Sequence, residues 1–263
     1  MKYFFTFINL ISNWFTIYCL TALVWILRTN TFPFYKVGIV ATLIIVAIII
    51  FSQSELGNKF ARFFEKARPL TKAEKKHFEP AVEEVCQAAN VKPPRIFMID
   101  DMNPNAMALG NSIVFTRGIF FEATSAEIRG VAAHELGHIV NGDSKLSIMN
   151  NIVNKIGNAG IAVLLTLTLT ITNNNQRLLL LPFICIALFL KLVRAILFGA
   201  SFLGIMAISR ADEYRADQFA KELGYEEELS SYLTKIEPNQ PEKNSVFRTH
   251  PPVALRIDKL QTA

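Results

Sequence analysis

The sequence predicts a mainly α, α+β chain in which a multi-pass membrane part is joined to a domain of helices and a small β-hairpin or sheet. Two observations set that class. Half of the residues are apolar (51%) and mean hydropathy is +0.31, too high for an ordinary soluble domain of 263 residues. The apolar residues also gather into long runs before residue 54 and after residue 158, leaving polar stretches patterned at helix and strand periods. Three regions follow: a transmembrane hairpin over 1–54, a second over 147–208 whose last part extends beyond the membrane, and a water-facing domain assembled from 55–146 and 209–263.

Tyr3 to Leu27 is apolar apart from Asn9 and Asn13, and it is too long for a removable signal peptide and lacks a small-residue cleavage site. It reads as a span. After the breaker Pro33, the run Val37 to Phe51, extended by Phe34 and Tyr35, reads as a second. The window from Ser52 to Lys76 then carries Lys59, Arg62, Lys66, Arg68, Lys72, Lys75 and Lys76 against three glutamates. By the positive-inside rule this cluster places the following domain and both termini in the cytoplasm, although Arg28 and Lys36 on the far side count against it. A solvated helix face and contact with anionic lipid headgroups are both open readings of the cluster.

Within the water-facing domain, Thr71 to Asn90 has a helical pattern with Phe78, Val82 and Val85 on one face, and Pro80 marks a possible later start. A short strand, Arg95 to Ile99, comes next. Asn105 to Gly110 and Ser112 to Thr116 are extended runs around Gly110-Asn111, the pattern of a hairpin with one strand at an exposed edge. Tyr225 to Ile236 reads as a small amphipathic helix and Glu237 to Ser245 as a loop.

Past Asp143 the chain turns apolar again: Ala159 to Ile171 is uninterrupted, with Asn150, Asn151 and Asn154 leading in, and 148–172 is expected to span. Thr172 to Arg177 forms a polar loop. One helix over 178–208 would be about 46 Å long against a hydrocarbon core of about 30 Å, so part of it must leave the membrane. Lys191 and Arg194 share a face where they can snorkel to headgroups. About four spans result.

The chemistry lies in His134-Glu135-Leu136-Gly137-His138, which holds two of only four histidines. Imidazoles four apart on a helix project from one face and can reach one Zn²⁺ at about 2.0 to 2.1 Å, while Glu135 beside them can take a proton from water. Thr124-Ser125-Ala126-Glu127 is a capping box and Asn141-Gly142 a stop, so the motif sits mid-helix. Gly137 inside that helix either marks a strand or bound substrate approaching its backbone or is a merely tolerated glycine. The third ligand is sought in Ser209 to Asp217: Glu213 is the candidate, leaving one position open, and Asp217 one turn on can accept the second N–H of His134. His77, beside Lys75-Lys76, reads as a surface histidine.

Together these residues, with Thr249-His250-Pro251-Pro252 and Arg256-Ile257, resemble the HtpX-type membrane metalloproteases, gluzincins related to the CAAX prenyl proteases. The match runs from about residue 65 to the end. It implies a zincin-like fold, one Zn²⁺, cytoplasm-facing endopeptidase activity in the bacterial inner membrane, and a role in quality control of damaged or misfolded membrane proteins. It also implies oxyanion stabilisation by His250, and a substrate strand formed by Asn105, Ala106, Met107 and Ala108. Arg256 is either a neighbour of the ligands or a surface cation.

Other classes are less well supported. Net charge is only +5 and no basic-aromatic interleaving occurs in a polar stretch, which argues against nucleic acid as a partner. Cys19, Cys86 and Cys185 fit no disulfide framework or metal spacing. A transporter would need paired charges in its spans. A catalytically inactive zinc-binding adaptor would be free to lose Glu135, and prenyl-protein processing would call for more spans.

Overall fold

The structure, a computed structural model, describes residues 2–29, 31, 33–170, 185, 188, 189, 192, 210–236 and 251–262. It divides into two compact units, Met1–Ser54 with Met149–Ile205 and Glu55–Ile148 with Met206–Ala263.

The first unit holds α1 (Lys2–Thr29), α2 (Phe34–Gln53) and most of α7 (Asp143–Thr170). Among the described residues two helices are long and apolar enough to cross a membrane, over Thr6–Ile26 and Phe34–Gln53. The asparagines that interrupt the hydropathy pattern satisfy one another. Asn9 donates to Asn150 Oδ1 at 3.1 Å, Asn13 to Asn9 Oδ1 at 2.9 Å, and Asn150 to Thr6 Oγ1 at 3.3 Å. Amides in a low-dielectric setting need such partners. Two of the four expected spans thus have their helices among the described residues, and α7, over which the third is expected, is a helix that continues to Thr170. The expected helix over 178–208, with Lys191 and Arg194, lies largely outside the described residues.

The second unit is built on a four-stranded mixed sheet, order β1-β2-β4-β3. β1 (Arg68–Pro69) runs antiparallel to β2 (Arg95–Ile99), β2 parallel to β4 (Ser112–Thr116), and β4 antiparallel to β3 (Ala106–Ala108). The hairpin turns tightly at Gly110, whose φ of +62° an L side chain resists and whose α-carbon Asn58 crowds. β3 is the outer strand. Leu109 and Ser112 exchange both backbone hydrogen bonds, and Thr116 donates to Asn105 O, so alternation along the ladder turns the N–H and C=O of Ala106 and Ala108 away from β4.

Helix α4 (Lys72–Ala88) starts at Thr71, not at Pro80, because Thr71 and Glu74 form a reciprocal capping box that outweighs the proline further along. Arg68 locks that corner, donating to Glu74 and to Asp100, and Arg68 first of all holds the Glu74 carboxyl down to about 2. Phe78 stacks on Phe115 at 4.5 Å, and with Met98, Ile113, Ile128, Leu136 and Leu229 forms the core. His77 is not a surface histidine. Its ring is partly buried edge-on to Phe78 and Phe120, and Nε2 has no hydrogen-bond partner among the described residues. The short α3 (Glu55–Phe64) and α5 (Arg117–Glu122) carry no distinct sequence signal.

Candidate active site

Helix α6 (Ser125–Val140) carries the histidine pair, opened by the Thr124–Glu127 capping box and followed by Asn141. Glu127 is buried and also takes Ser231 at 2.9 Å and Lys235 at 2.6 Å, which fastens α6 to α9 (Glu226–Ile236). The approach to Gly137 is made by a helix, not a strand or substrate. A Cβ there would meet Ala216 Cα at 3.0 Å, so the missing side chain lets α8 (residues 210–222) lie against the motif.

That close approach brings Glu213 to the two imidazoles. His138 Nε2 is 3.4 Å from Glu213 Oε1 and His134 Nε2 is 3.6 Å from Glu213 Oε2, and the ligand atoms of all three residues lie within 4.8 Å of one another. Tetrahedral ligands at about 2.1 Å from one ion stand about 3.4 Å apart. The spacing therefore fits a single metal, and two borderline imidazole nitrogens with one hard carboxylate oxygen are a donor set that zinc, a borderline ion, accepts.

Each imidazole is oriented from behind. His134 Nδ1 is 2.9 Å from Asp217 Oδ1, on the same face of α8 as Glu213. Asp217 also receives Arg256 bidentately, Nε at 2.8 Å and Nη2 at 2.6 Å. Arg256, on α10 (Val253–Gln261), is therefore buried in the site and is not a surface cation; its Nη1 is 3.4 Å from Glu213. With Asp217 accepting from both, Nδ1 of His134 carries the proton and Nε2 presents its lone pair. Burial opposes charge on Asp217, but hydrogen bonds from His134 and Arg256 outweigh it and hold the carboxyl low.

His138 has an orienting partner that the motif did not reveal, Asp143, with Oδ2 3.2 Å from Nδ1. The available signal was an aspartate just past the Asn141-Gly142 stop, opening α7. Arg215 pairs with both Asp143 and Asp212. Burial disfavours the imidazolium of His138, yet hydrogen bonding to Asp143 and Glu213 prevails and raises it to about 10. Carboxylates facing both ring nitrogens demand a cation between them, either a proton or a metal. Glu135 is buried beside this cluster at 7% exposure. Ala106, Met107 and Ala108 form the edge strand β3, with Asn105 just before it, and β3 packs beside α6. His250 lies outside the described residues.

Residues 72–263 match the profile of Peptidase family M48. The chain belongs to that family. Proteins described as Protease HtpX homolog are similar over most of both chains. One from Dictyoglomus turgidum is 26% identical over 284 residues, 95% of this chain and 91% of its own. One from Streptococcus agalactiae serotype III is 32% identical over 258 residues, 86% of each. Among solved structures, that of S. mikatae Ste24p aligns with a TM-score of 0.56 at 23% identity, over 92% of this chain and 62% of that one, a likeness of fold. As an M48 peptidase similar along most of its length to HtpX homologues, with two helices among the described residues long and apolar enough to cross a membrane, the protein is a membrane metalloprotease.

The raised His138 value has a measurable consequence. Protonated His138 stabilises the metal-free fold fully below its ordinary 6.5, and that contribution is lost as pH rises through about 10. Metal must displace this proton, so loading the purified protein at pH 8 should release about one proton per ion. Calorimetry in buffers of different ionisation enthalpy reads it; no release would contradict this electrostatic picture.

Proposed function

We propose that the protein is a zinc-dependent endopeptidase in which His134, His138 and Glu213 hold one Zn²⁺. The observation that carries this reading is the 3.4 and 3.6 Å spacing of Glu213 from two imidazoles whose other nitrogens already face Asp217 and Asp143. When bound, zinc supplies Lewis acidity and lowers the pKa of a water toward about 7.

The chain's own groups do the rest. Glu135 takes a proton from the attacking water as its oxygen bonds to the scissile carbonyl carbon, then delivers that proton to the departing amine nitrogen as the C–N bond breaks. Burial keeps its carboxylate out of bulk water. His250 donates to the oxyanion, a role taken from the family resemblance. Asp217 and Asp143 keep the two imidazoles in register, and Arg256 fixes Asp217.

Substrate is held as an added strand. The outward C=O of Ala106 and the outward N–H and C=O of Ala108 form an edge beside α6 that can pair with an extended polypeptide of almost any sequence, while Asn105 Oδ1 takes the Ala106 N–H at 2.9 Å and Met107 flanks. Such backbone-only recognition suits unfolded segments. It supports a role in quality control of damaged or misfolded membrane proteins, with the site facing the cytoplasm of a bacterial inner membrane and about four spans in the bilayer.

Purified wild type and Glu135→Gln should bind zinc equally, while only wild type cleaves an unfolded model protein, its turnover at least about 10²-fold above the variant's. Cleavage by the variant, or loss of its zinc, would overturn the assignment of Glu135. Ala108→Pro removes one outward N–H without touching the hairpin's own hydrogen bonds. It should raise KM for the same substrate about tenfold with zinc content unchanged; an unchanged KM would remove β3 from the substrate site.

A further inference from the structure

Helix α3 is built inside out for a helix in water. Its buried positions are Gly57 and Arg62, whereas Leu56 and Phe63 are 64% and 77% exposed and Phe60 and Phe64 on the same arc are also exposed. The side chains at 56, 60, 63 and 64 fall within about 100° of one another around the axis. Inward, the Arg62 guanidinium donates to Glu55 at 3.0 Å and to Ser112 Oγ at 3.3 Å, and lies 4.5 Å from the Phe97 ring centroid. The charge is thus used to fasten α3 to the catalytic sheet, and the apolar arc is directed outward.

Chain continuity identifies what that arc meets. α3 begins after a single residue, Ser54, beyond α2, which is apolar enough to cross a membrane. Leu56 is three residues past Gln53 and so within about 11 Å of the end of the span, inside or next to the headgroup layer. Exposed Lys59 borders the arc and Lys66 follows the helix, as at a surface carrying anionic lipid.

We propose that α3 is an interfacial helix that embeds Leu56 and Phe63 at the headgroup and acyl boundary, so that lipid is the partner of this face of the catalytic unit. The basic window after the second span is then neither a simply solvated face nor a set of free headgroup ligands. Arg62 and Arg68 are committed to internal partners, Lys72, Lys75 and Lys76 stand on α4, and Lys59 and Lys66 are the cations that α3 itself and the residues just after it bring to the phosphates. This inference does not depend on the metal or on hydrolysis.

The test uses full-length protein with both native tryptophans, Trp14 and Trp25, replaced by Phe and a single reporter introduced as Phe63→Trp, Leu56→Trp or, at a position on α4 whose side chain is 45% exposed, Glu79→Trp. Each is reconstituted into phosphatidylethanolamine and phosphatidylglycerol vesicles, with and without lipid brominated along the acyl chain. Emission from positions 63 and 56 should shift to the blue, fall with brominated lipid and resist aqueous iodide, while position 79 should behave oppositely. Quenching of 63 and 56 by iodide alone would place the face in water, and protection from both quenchers would place it against protein, such as a second copy; either overturns the proposal. Should the tryptophan-free parent be unstable, the same quenching is read as the difference between Phe63→Trp and wild type.

Discussion

Asp217 is the contact on which the site depends. Its carboxylate accepts from His134 on α6 and from Arg256 on α10 while standing on α8, so one buried group ties together three helices from distant parts of the sequence. Burying a carboxylate is costly unless its lone pairs are used, and here a bidentate guanidinium and an imidazole N–H use them. The result fixes which nitrogen of His134 faces Glu213. Gly137 makes the same arrangement sterically possible, because any larger residue would push α8 and its two acids away from the motif.

The sequence revealed the parts of the site whose spacing is local and concealed those that depend on packing. His134, Glu135 and His138 are legible because one helical turn sets their geometry, and Glu213 with Asp217 because they too share a turn. The Asp143 contact comes from where the chain goes after a helix stop, which no periodicity encodes. Gly137 was legible as a close approach, but what approaches is decided by tertiary structure. Arg256 reads equally as a neighbour of the ligands or a surface cation from sequence, because its burial against Asp217 comes from the packing of α10.

The fold divides similarly. Capping boxes at Thr71 and Thr124 and the Gly110-Asn111 turn are short-range signals with direct hydrogen-bond consequences, and the elements start and turn where they say. The proline at 80 misleads because a residue that can begin a helix can also be tolerated within one. Nothing local announces the parallel pairing of β2 with β4, in a sheet whose outer hairpin strand packs beside the helix of the histidine pair. Asn9, Asn13 and Asn150 show the converse problem: each lowers hydropathy alone, yet together they form a polar contact between helices. The inverted α3 is hidden for the same reason, since amphipathicity tells that a helix has two faces but not which medium each one meets.

The central claim is that two imidazoles and one carboxylate of this chain hold a single zinc ion. X-ray absorption of the zinc-loaded protein in detergent tests it most directly. The account predicts a first shell of nitrogen and oxygen only, at about 2.0 to 2.2 Å, with outer-shell scattering from two imidazoles. A sulfur shell near about 2.3 Å, drawn from Cys19, Cys86 or Cys185, or scattering from fewer than two imidazoles, would contradict it.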